Sequence, residues 1–303
     1  MRTTTPTLLV VTAVLYAANY PLGALALHDM SPFLLIALRF AVTAVVTWAA
    51  VLVLRTALPR GRTWWHAVGA GLLVQGAQFL GAYWAMSHGV GAGVTALVVA
   101  MNPVVATVLG GLLDQRREPL LAYGAVALGA VAVVLACAPR IVRDPSLGAG
   151  LGAVLVALAG LSLGSVWQGR TLRGVSPVSF TAIGTTVSLP FAAVLATLVP
   201  ESVHPGARTW VLFAVVTVVG LVGSTMYASS VARVGARSAA MLFAVIPALA
   251  ALIAWPVVGE PLDAVVGVAL VLGAVACAVD VVATRRRAVA RGAGPRRASR
   301  PAA

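Results

Sequence analysis

Arg39 is the one charged residue that lies well inside a long apolar segment of this sequence, residues 32–54. A charged side chain costs about 2.5–3.5 kcal/mol at the centre of a membrane helix, so it should face the protein interior or find a partner. No acidic residue lies at a comparable depth in the first half of the chain. Two interpretations stay open: the guanidinium binds a carboxylate or acts in gating, or it snorkels toward the outer surface.

Amide, hydroxyl and indole groups also occur inside the apolar segments, several of them in pairs three residues apart. Residues at that spacing share one face of a helix, so such pairs could face a polar cavity or could join neighbouring helices. Trp167 lies near a segment end and could belong instead to the aromatic belt at the membrane surface. The candidates for a solute-binding cavity, in addition to Arg39, are Tyr16, Asn19, Gln75, Gln78, Asn102, Trp167, Gln168, Ser224 and Tyr227.

Two apolar segments, "VGAGVTALVVAMNPVV" and "VGARSAAMLFAVIPAL", carry a proline at the same position, Pro103 and Pro247. A proline frees the carbonyl one turn earlier, and lipid offers no replacement donor, so a break requires protein or water beside it. We interpret the two prolines as hinges in helices that face a pathway. Packing kinks are the alternative.

Residues for catalysis or for metal and cofactor binding do not form a recognisable pattern. Cys137 and Cys277 lie within apolar segments and are interpreted as small packing residues. The run "GAGLG" follows no strand and so is not a dinucleotide motif. We therefore expect neither an enzyme nor a bound cofactor or metal. The histidines are scattered over loops and segment ends: His28, His66, His88 and His204.

The composition places the chain in a membrane. Hydrophobic residues make up 60% and charged residues 10%, against roughly 45–50% and about 25% in soluble domains. A spanning helix needs about 20 apolar residues. Ten such windows are predicted, at about 7–27, 32–54, 65–86, 91–113, 119–138, 148–168, 178–199, 209–231, 238–258 and 262–282. The predicted fold class is therefore an all-α integral membrane protein with ten transmembrane helices.

The basic residues, all of them arginine, alternate in density from loop to loop. If the N-terminus is cytoplasmic, 17 arginines fall on the inside and 3 on the outside, which is a strong positive-inside pattern. It predicts a multi-pass protein of the cell membrane with both termini in the cytoplasm. The net charge of +13 thus reflects topology, and no nucleic-acid partner is expected. The basic tail, 284–303, is predicted to be disordered and to contact anionic lipid.

An internal repeat relates the two halves of the sequence. Shifts of 144 or 145 residues align Ser31-Pro32 with Ser176-Pro177, Tyr83 with Tyr227, and the two mid-segment prolines. Residues 1–144 and 145–283 are then two repeats of five spans each. Because five is odd, the second repeat enters the membrane inverted, which is a recurrent build of secondary transporters.

Three stretches carry a resemblance to a known family: "YAANYPLGALALHDMSPFLLIALRF", the two proline-centred segments, and "GEPLDAVVGVALVLGAV". With them the sequence resembles the EamA-type branch of the drug/metabolite transporter superfamily over about residues 8–282. The resemblance implies ten helices in two inverted repeats and export of small metabolites such as amino acids or toxic compounds. Two features depart from the family: Ala24 lies near the place of a frequent lysine, and "DQRREP" displaces Glu118. No role is carried over to either position.

The expected function is export of a small metabolite by alternating access through a central cavity, by a monomer or homodimer. A channel or a non-transporting structural membrane protein is the alternative, and drug efflux or solute uptake is an alternative within transporters. Proton-coupled carriers usually bury a carboxylate. Glu118, Glu260, Asp263 and Asp280 all fall at span ends, so no acid relay is predicted in the membrane. Facilitated or potential-driven transport is therefore as compatible with the sequence as proton antiport.

Overall fold

The computed structural model describes residues 5–113, 115, 120–143, 147–199, 203–204, 206–234 and 242–292. Within these ranges the side chains of 5–6, 137–143, 224–225, 227–234 and 283–292 are not described. The helices are α1 Thr5–Ala26, α2 Pro32–Val53, α3 Arg62–Gly71, a π-helix Leu72–Ala77, α4 Gln78–Ser87, α5 Ala92–Ala100, α6 Asn102–Leu113, α7 Leu120–Arg143, α8 Leu147–Thr171, α9 Pro177–Leu198, α10 Ala207–Val234, α11 Leu242–Val258 and α12 Ala264–Gly292.

The described residues are all-helical apart from loops and one isolated bridge between Met30 and Val203. Shorter apolar helices lie at 120–136, 207–223 and 242–258. The prediction of an all-α, multi-pass membrane protein is confirmed, and the count of ten spans stays a prediction. Six helical stretches of the described part are long and apolar enough to cross a membrane, one of them formed by α5 and α6 together: Thr7–Ala26, Pro32–Val53, Ala92–Leu113, Leu147–Thr171, Pro177–Leu198 and Ala264–Val282.

The two Ser-Pro pairs begin helices at equivalent places. Ser31 and Ser176 precede α2 and α9 in extended conformation, with Pro32 and Pro177 as the first helical residues. Proline is favoured there because its missing N–H would have no helical partner and its φ is already helical. Helices α2 and α9 pack against each other.

Contacts between a helix of the first half and a helix of the second half recur with the two halves exchanged. We call these exchanged helix contacts. Helix α7 packs on α12, and α5 packs on α11. Helix α1 contacts α10 and α11, while α8 makes the corresponding contacts with the α3–α4 segment and with α6. Small residues permit the close approaches: a Cβ on Gly71 would lie 2.6 Å from Gly184 Cα, and one on Gly160 would lie 2.7 Å from Ala77 Cβ.

Two helical segments are interrupted. The chain turns at Met101, so that Asn102 and Pro103 begin α6 instead of lying in mid-helix. Pro247, in contrast, lies inside the uninterrupted α11. The two prolines, predicted as paired hinges, thus differ in local structure, because only Pro103 has a helix end beside it. The π-helix is the other interruption; it contains Gln75, and π-turns are rare and frequently occur at functional sites.

Helix α12 continues to Gly292, beyond the predicted start of a disordered tail at residue 284. Arginine and alanine dominate "TRRRAVARG" and are both strong helix formers, so the span extends into the basic segment. Residues 293–303 lie outside the described part of the chain.

Candidate functional site

The guanidinium of Arg39 lies inside the helix bundle, with only 6% of the residue exposed. Its Nη1 donates a 2.7 Å hydrogen bond to the Tyr83 hydroxyl oxygen of α4. Its Cζ lies 4.8 Å from the ring centroid of Phe79, one turn earlier on the same helix. The snorkelling interpretation is therefore wrong for this conformation, because the side chain is held inward by a hydrogen bond and an aromatic face.

Aromatic groups replace an acidic partner around this cation. Tyr16 and Tyr20 of α1, like Tyr83, lie close enough to Arg39 to interact with its charge. Among the described residues, the ion pair is formed by Arg208 and Asp29, at 3.4 Å. Arg39 therefore forms no ion pair with a described carboxylate. A buried cation without a counter-ion favours binding of an anionic group, since charges interact strongly in a medium of low dielectric constant.

A cavity of about 20 Å³ adjoins Arg39; it is lined by Tyr16, Asn19, Arg39, Val219, Gly220 and Gly223. This volume holds about one water molecule, so the structure represents a closed arrangement at this point. Oδ1 of Asn19 is buried and has no hydrogen-bond partner. A bound group with a donor would satisfy it, as buried acceptors generally require.

Gly220 of α10 allows this arrangement. A Cβ added to Gly220 would collide with the Arg39 guanidinium and would lie 2.9 Å from Asn19 Oδ1. The donor of Arg39 and the acceptor of Asn19 therefore meet at one point of the α10 backbone. The cavity wall combines α1 and α2 from the first half of the chain with α10 from the second.

The corresponding position in the second half has no charge. The shift of 145 residues that aligns the Ser-Pro pairs brings Arg39 onto Gly184. There α9 touches the α3 segment backbone to backbone at Gly71, and Gln75 Cγ would lie 3.0 Å from a Cβ on Gly184. The first half of the chain thus places a cation at this position, whereas the second half places a glycine in close backbone contact there.

The predicted site residues fall into separate groups. Tyr16, Asn19 and Arg39 line the same small cavity. Neither Gln75 nor Gln78 lines this cavity, although Gln78 is buried at 6% exposure. Gln75 lies within the π-helix and Gln78 begins α4 directly after it, and the wider turn of a π-helix alters the expected three-residue spacing on one face. Ser224 and Tyr227 lie on α10, among the side chains that are not described.

The remaining candidates lie elsewhere in the bundle. Asn102 is the first residue of α6, directly after the break between α5 and α6, and its Oδ1 is buried without a hydrogen-bond partner. Trp167 is 37% exposed, and its Nε1 donates to His66 Nδ1 at 3.1 Å, a surface position that agrees with the belt interpretation. Gln168 is partly buried on α8. None of the three lines the cavity beside Arg39.

Sequence reasoning missed Tyr83, Phe79 and Gly220 as parts of the site. Tyr83 was noted only as a landmark of the repeat, although its spacing of four from Phe79 places both on one helix face. Gly220 gave no signal, since the chain has 30 glycines and only the contact with Arg39 distinguishes this one.

A larger cavity of about 380 Å³ opens at one end of the bundle, lined among others by Ala24, His28, Ser87 and Glu260. Ala24 is five residues from Asn19 on α1, which is about 7.5 Å along the helix. Glu260, in the loop between α11 and α12, accepts hydrogen bonds from the backbone N–H groups of Ala92 and of Gly93, the latter at 3.2 Å. This carboxylate caps α5 at its positive end and ties the two halves together beside the cavity.

Asp280 lies close to the end of its span, as predicted, and is nevertheless buried. It is 4% exposed on α12 and accepts a 3.2 Å hydrogen bond from Thr107 of α6. The burial was not predicted, because apolar helices on several sides cover a residue that is close to a segment end in sequence. In the described part of the chain, no group of three or more His, Cys, Asp or Glu side chains could hold a metal ion.

Comparisons with known proteins agree with this architecture. The sequence model of the EamA-like transporter family matches the chain twice, at residues 4–138 and 148–281. One solved structure, described only as "Crystal structure of protein", is 22% identical and superimposes with a TM-score of 0.63 over 94% of this chain and 100% of its own. At this identity the likeness shows the fold alone. No curated protein matches the sequence. Since the two family matches together cover most of its length, the chain belongs to the EamA-like transporter family.

Proposed function

We propose that this protein exports small zwitterionic metabolites, amino acids or close relatives, through the cavity beside Arg39. The observation that carries the proposal is the meeting of a buried guanidinium, which has no acidic partner among the described residues, with the unpartnered Oδ1 of Asn19. Arginine binds a carboxylate through two parallel hydrogen bonds, and an ammonium group has donors but no acceptor. The two side chains thus complement the two charged ends of one amino acid.

Alternating access is supported by the size of the two cavities. The space beside Arg39 is too small for a metabolite, while the space near Glu260 is wide enough to admit one. A solute that enters the inner cavity must therefore displace helices, which is the behaviour of a carrier. An always-open channel would need a continuous polar route past Arg39.

The inverted arrangement of the repeats is supported by the exchanged helix contacts. When two similar units are related by a twofold axis, a contact from element i to element j recurs from j to i. Contacts of α1 with α10 and α11 recur as contacts of α8 with the α3–α4 segment and α6. With five spans in each unit, the axis lies in the membrane plane, and both termini lie in the cytoplasm of a cell-membrane protein.

Counterflow in liposomes tests the function. Vesicles that contain the purified protein are loaded with an unlabelled amino acid and diluted into the same labelled compound. A carrier should accumulate label transiently, whereas a channel should only equilibrate it. A panel of zwitterionic, anionic and cationic solutes should rank the zwitterions first. Lack of counterflow with every solute would contradict the proposal.

The direction of transport requires intact cells. Export is expected from the family, and cells that produce the protein should release the transported metabolite faster than cells with an Arg39→Gln variant of equal abundance. Reporter fusions after Ser202 should read outside and fusions after Arg173 inside. The same compartment for both would refute the inverted topology.

A further inference from the structure

Asp280 is a buried acid that the proposed binding site does not use. It lies on α12 with 4% of the residue exposed. Oδ2 accepts a 3.2 Å hydrogen bond from Thr107 Oγ1, and Oδ1 is buried without any hydrogen-bond partner. One hydroxyl donor is far less than an ionised carboxylate receives in water, so an isolated charge here would carry a large desolvation cost.

The elements packed against α12 bring no cation to Asp280 among the described side chains. No ionisable residue lies on α5, α6 or α11, which pack against α12. On the part of α7 whose side chains are described, the ionisable residue is Tyr123, which is 44% exposed. On α12 itself Cys277 lies one turn earlier, and its thiol donates to the Ala100 carbonyl at 3.5 Å. Among the described side chains, the environment of Asp280 thus contains hydroxyl, thiol and carbonyl groups and no cation.

The contacts of this acid converge on the break between α5 and α6. Ala100, the last residue of α5, accepts from Cys277; Thr107 Oγ1, on α6, lies 2.9 Å from the Pro103 carbonyl as well as 3.2 Å from Asp280. A hydroxyl has a single hydrogen, so Thr107 donates to one of these two oxygens at a time. The charge state of Asp280 decides which of the two oxygens accepts this hydrogen bond, because an ionised carboxylate is a stronger acceptor than a carbonyl oxygen.

We propose that Asp280 is a proton-binding site and that its protonation is coupled to movement of α6 at the break. With the proton bound, Asp280 is neutral and Thr107 donates to the Pro103 carbonyl one turn earlier on α6, a bond that tends to bend a helix. When the proton leaves to water, the carboxylate takes the Thr107 hydrogen bond, and the aspartate needs solvent or further donors. The inference rests on the proposed function, since it identifies the ion that drives the same transport cycle.

The proposed step transfers one proton across the membrane. One proton passes from water on one side of the membrane to the Asp280 carboxylate and later from the carboxylate to water on the other side. No covalent bond other than O–H forms or breaks. A proton gradient can then drive solute movement in the opposite direction, because the carrier changes its facing state in different protonation states.

The test uses the full-length protein in liposomes and separates exchange from coupling. Counterflow needs only solute binding and access, whereas accumulation driven by an imposed pH gradient needs the proton site. The wild type should show both. Asp280→Asn, which resembles the protonated form, should retain counterflow and lose gradient-driven accumulation at least tenfold. Asp263→Asn is the matched control, since Asp263 is exposed and only caps α12 through the Val266 N–H at 2.7 Å.

The outcomes test the proposed function and the proton site separately. Absence of counterflow in the wild type refutes the proposed function, whereas wild-type counterflow with undiminished gradient-driven accumulation in Asp280→Asn refutes the proton site alone. Accumulation that follows a sodium gradient and ignores pH also overturns it. If Asp280→Asn does not fold, Thr107→Val decides: loss of the one donor to the carboxylate should move the pH dependence of flux toward higher pH, and an unchanged profile overturns the inference.

Discussion

The Arg39 guanidinium donates a 2.7 Å hydrogen bond to the hydroxyl oxygen of Tyr83, a residue 44 positions later in the chain. The bond joins α2 to α4 and holds the cation against the cavity that Asn19 also lines. A hydroxyl is a neutral acceptor, so it orients the guanidinium without neutralising it. The pair therefore positions a positive charge and keeps it available for an anionic group.

Arg39→Gln should reduce transport of carboxylate-bearing solutes about tenfold or more, since hydrogen bonds to charged groups contribute about 1.5–3 kcal/mol. Arg39→Lys should rescue only part of the activity, because an ammonium group lacks the planar fork of arginine. Initial rates in liposomes measure both variants. Normal transport by a correctly inserted Arg39→Gln would show that the cation does not contact the solute.

Gly220→Ala should abolish most transport while the protein remains in the membrane. The added methyl group would collide with Arg39 and approach Asn19 Oδ1, so the guanidinium must leave its place. Gly267→Ala is the matched control, since Gly267 is exposed on α12 and a Cβ there meets nothing within 4 Å. Equal transport by the two variants would contradict the importance of the α10 contact.

Tyr83→Phe should raise the solute concentration needed for half-maximal transport several-fold, with less effect on the maximal rate. The ring stays in place beside Arg39, but the neutral acceptor is lost, so the guanidinium is less well oriented; loss of one such bond costs about 1–3 kcal/mol. Tyr123→Phe serves as the control, because Tyr123 is 44% exposed on α7. A change confined to the maximal rate would assign Tyr83 to the conformational step instead.

Glu260→Gln should loosen the contact between the loop after α11 and the start of α5. The carboxylate accepts from two backbone N–H groups, and loss of its charge weakens both bonds and the interaction with the helix dipole. Ser87 lines the neighbouring cavity, so a Ser87→Cys substitution in this variant should be labelled faster by a membrane-impermeant reagent than in the wild-type background. Unchanged labelling would mean that the cap does not control access.

Pro103→Ala should slow transport more than Pro247→Ala. Only Pro103 lies beside a break of the helix, and alanine there can restore a backbone hydrogen bond and join α5 to α6. The stiffer variant should be at least as stable as the wild type and should populate one facing state. Cysteine accessibility from each side of the membrane measures this. Unchanged flux and equal labelling patterns in both variants would identify the prolines as packing features.

Local properties of the sequence determine much of this protein. Apolar segment lengths predict the helices, arginine density predicts their orientation, and the Ser-Pro and proline landmarks predict two repeats, which agree with two matches to one family. These features depend on neighbours in the chain or on the solvent, so the sequence reports them directly. For Arg39 the sequence left an inward position and snorkelling open, and the structure selects the inward position.

Only the tertiary structure decides which side chains meet. Spans rich in alanine, valine and glycine carry little amphipathic signal, so their rotation and register about each other cannot be read from periodicity. The contacts of Arg39 with Tyr83 and Gly220, the exclusion of Gln75 and Trp167 from its cavity, and the burial of Asp280 all depend on that rotation. A π-turn and a helix break shift it further. The polar residues inside the spans were therefore predictable as a class, and their assembly was decided by the packing of helices distant in sequence.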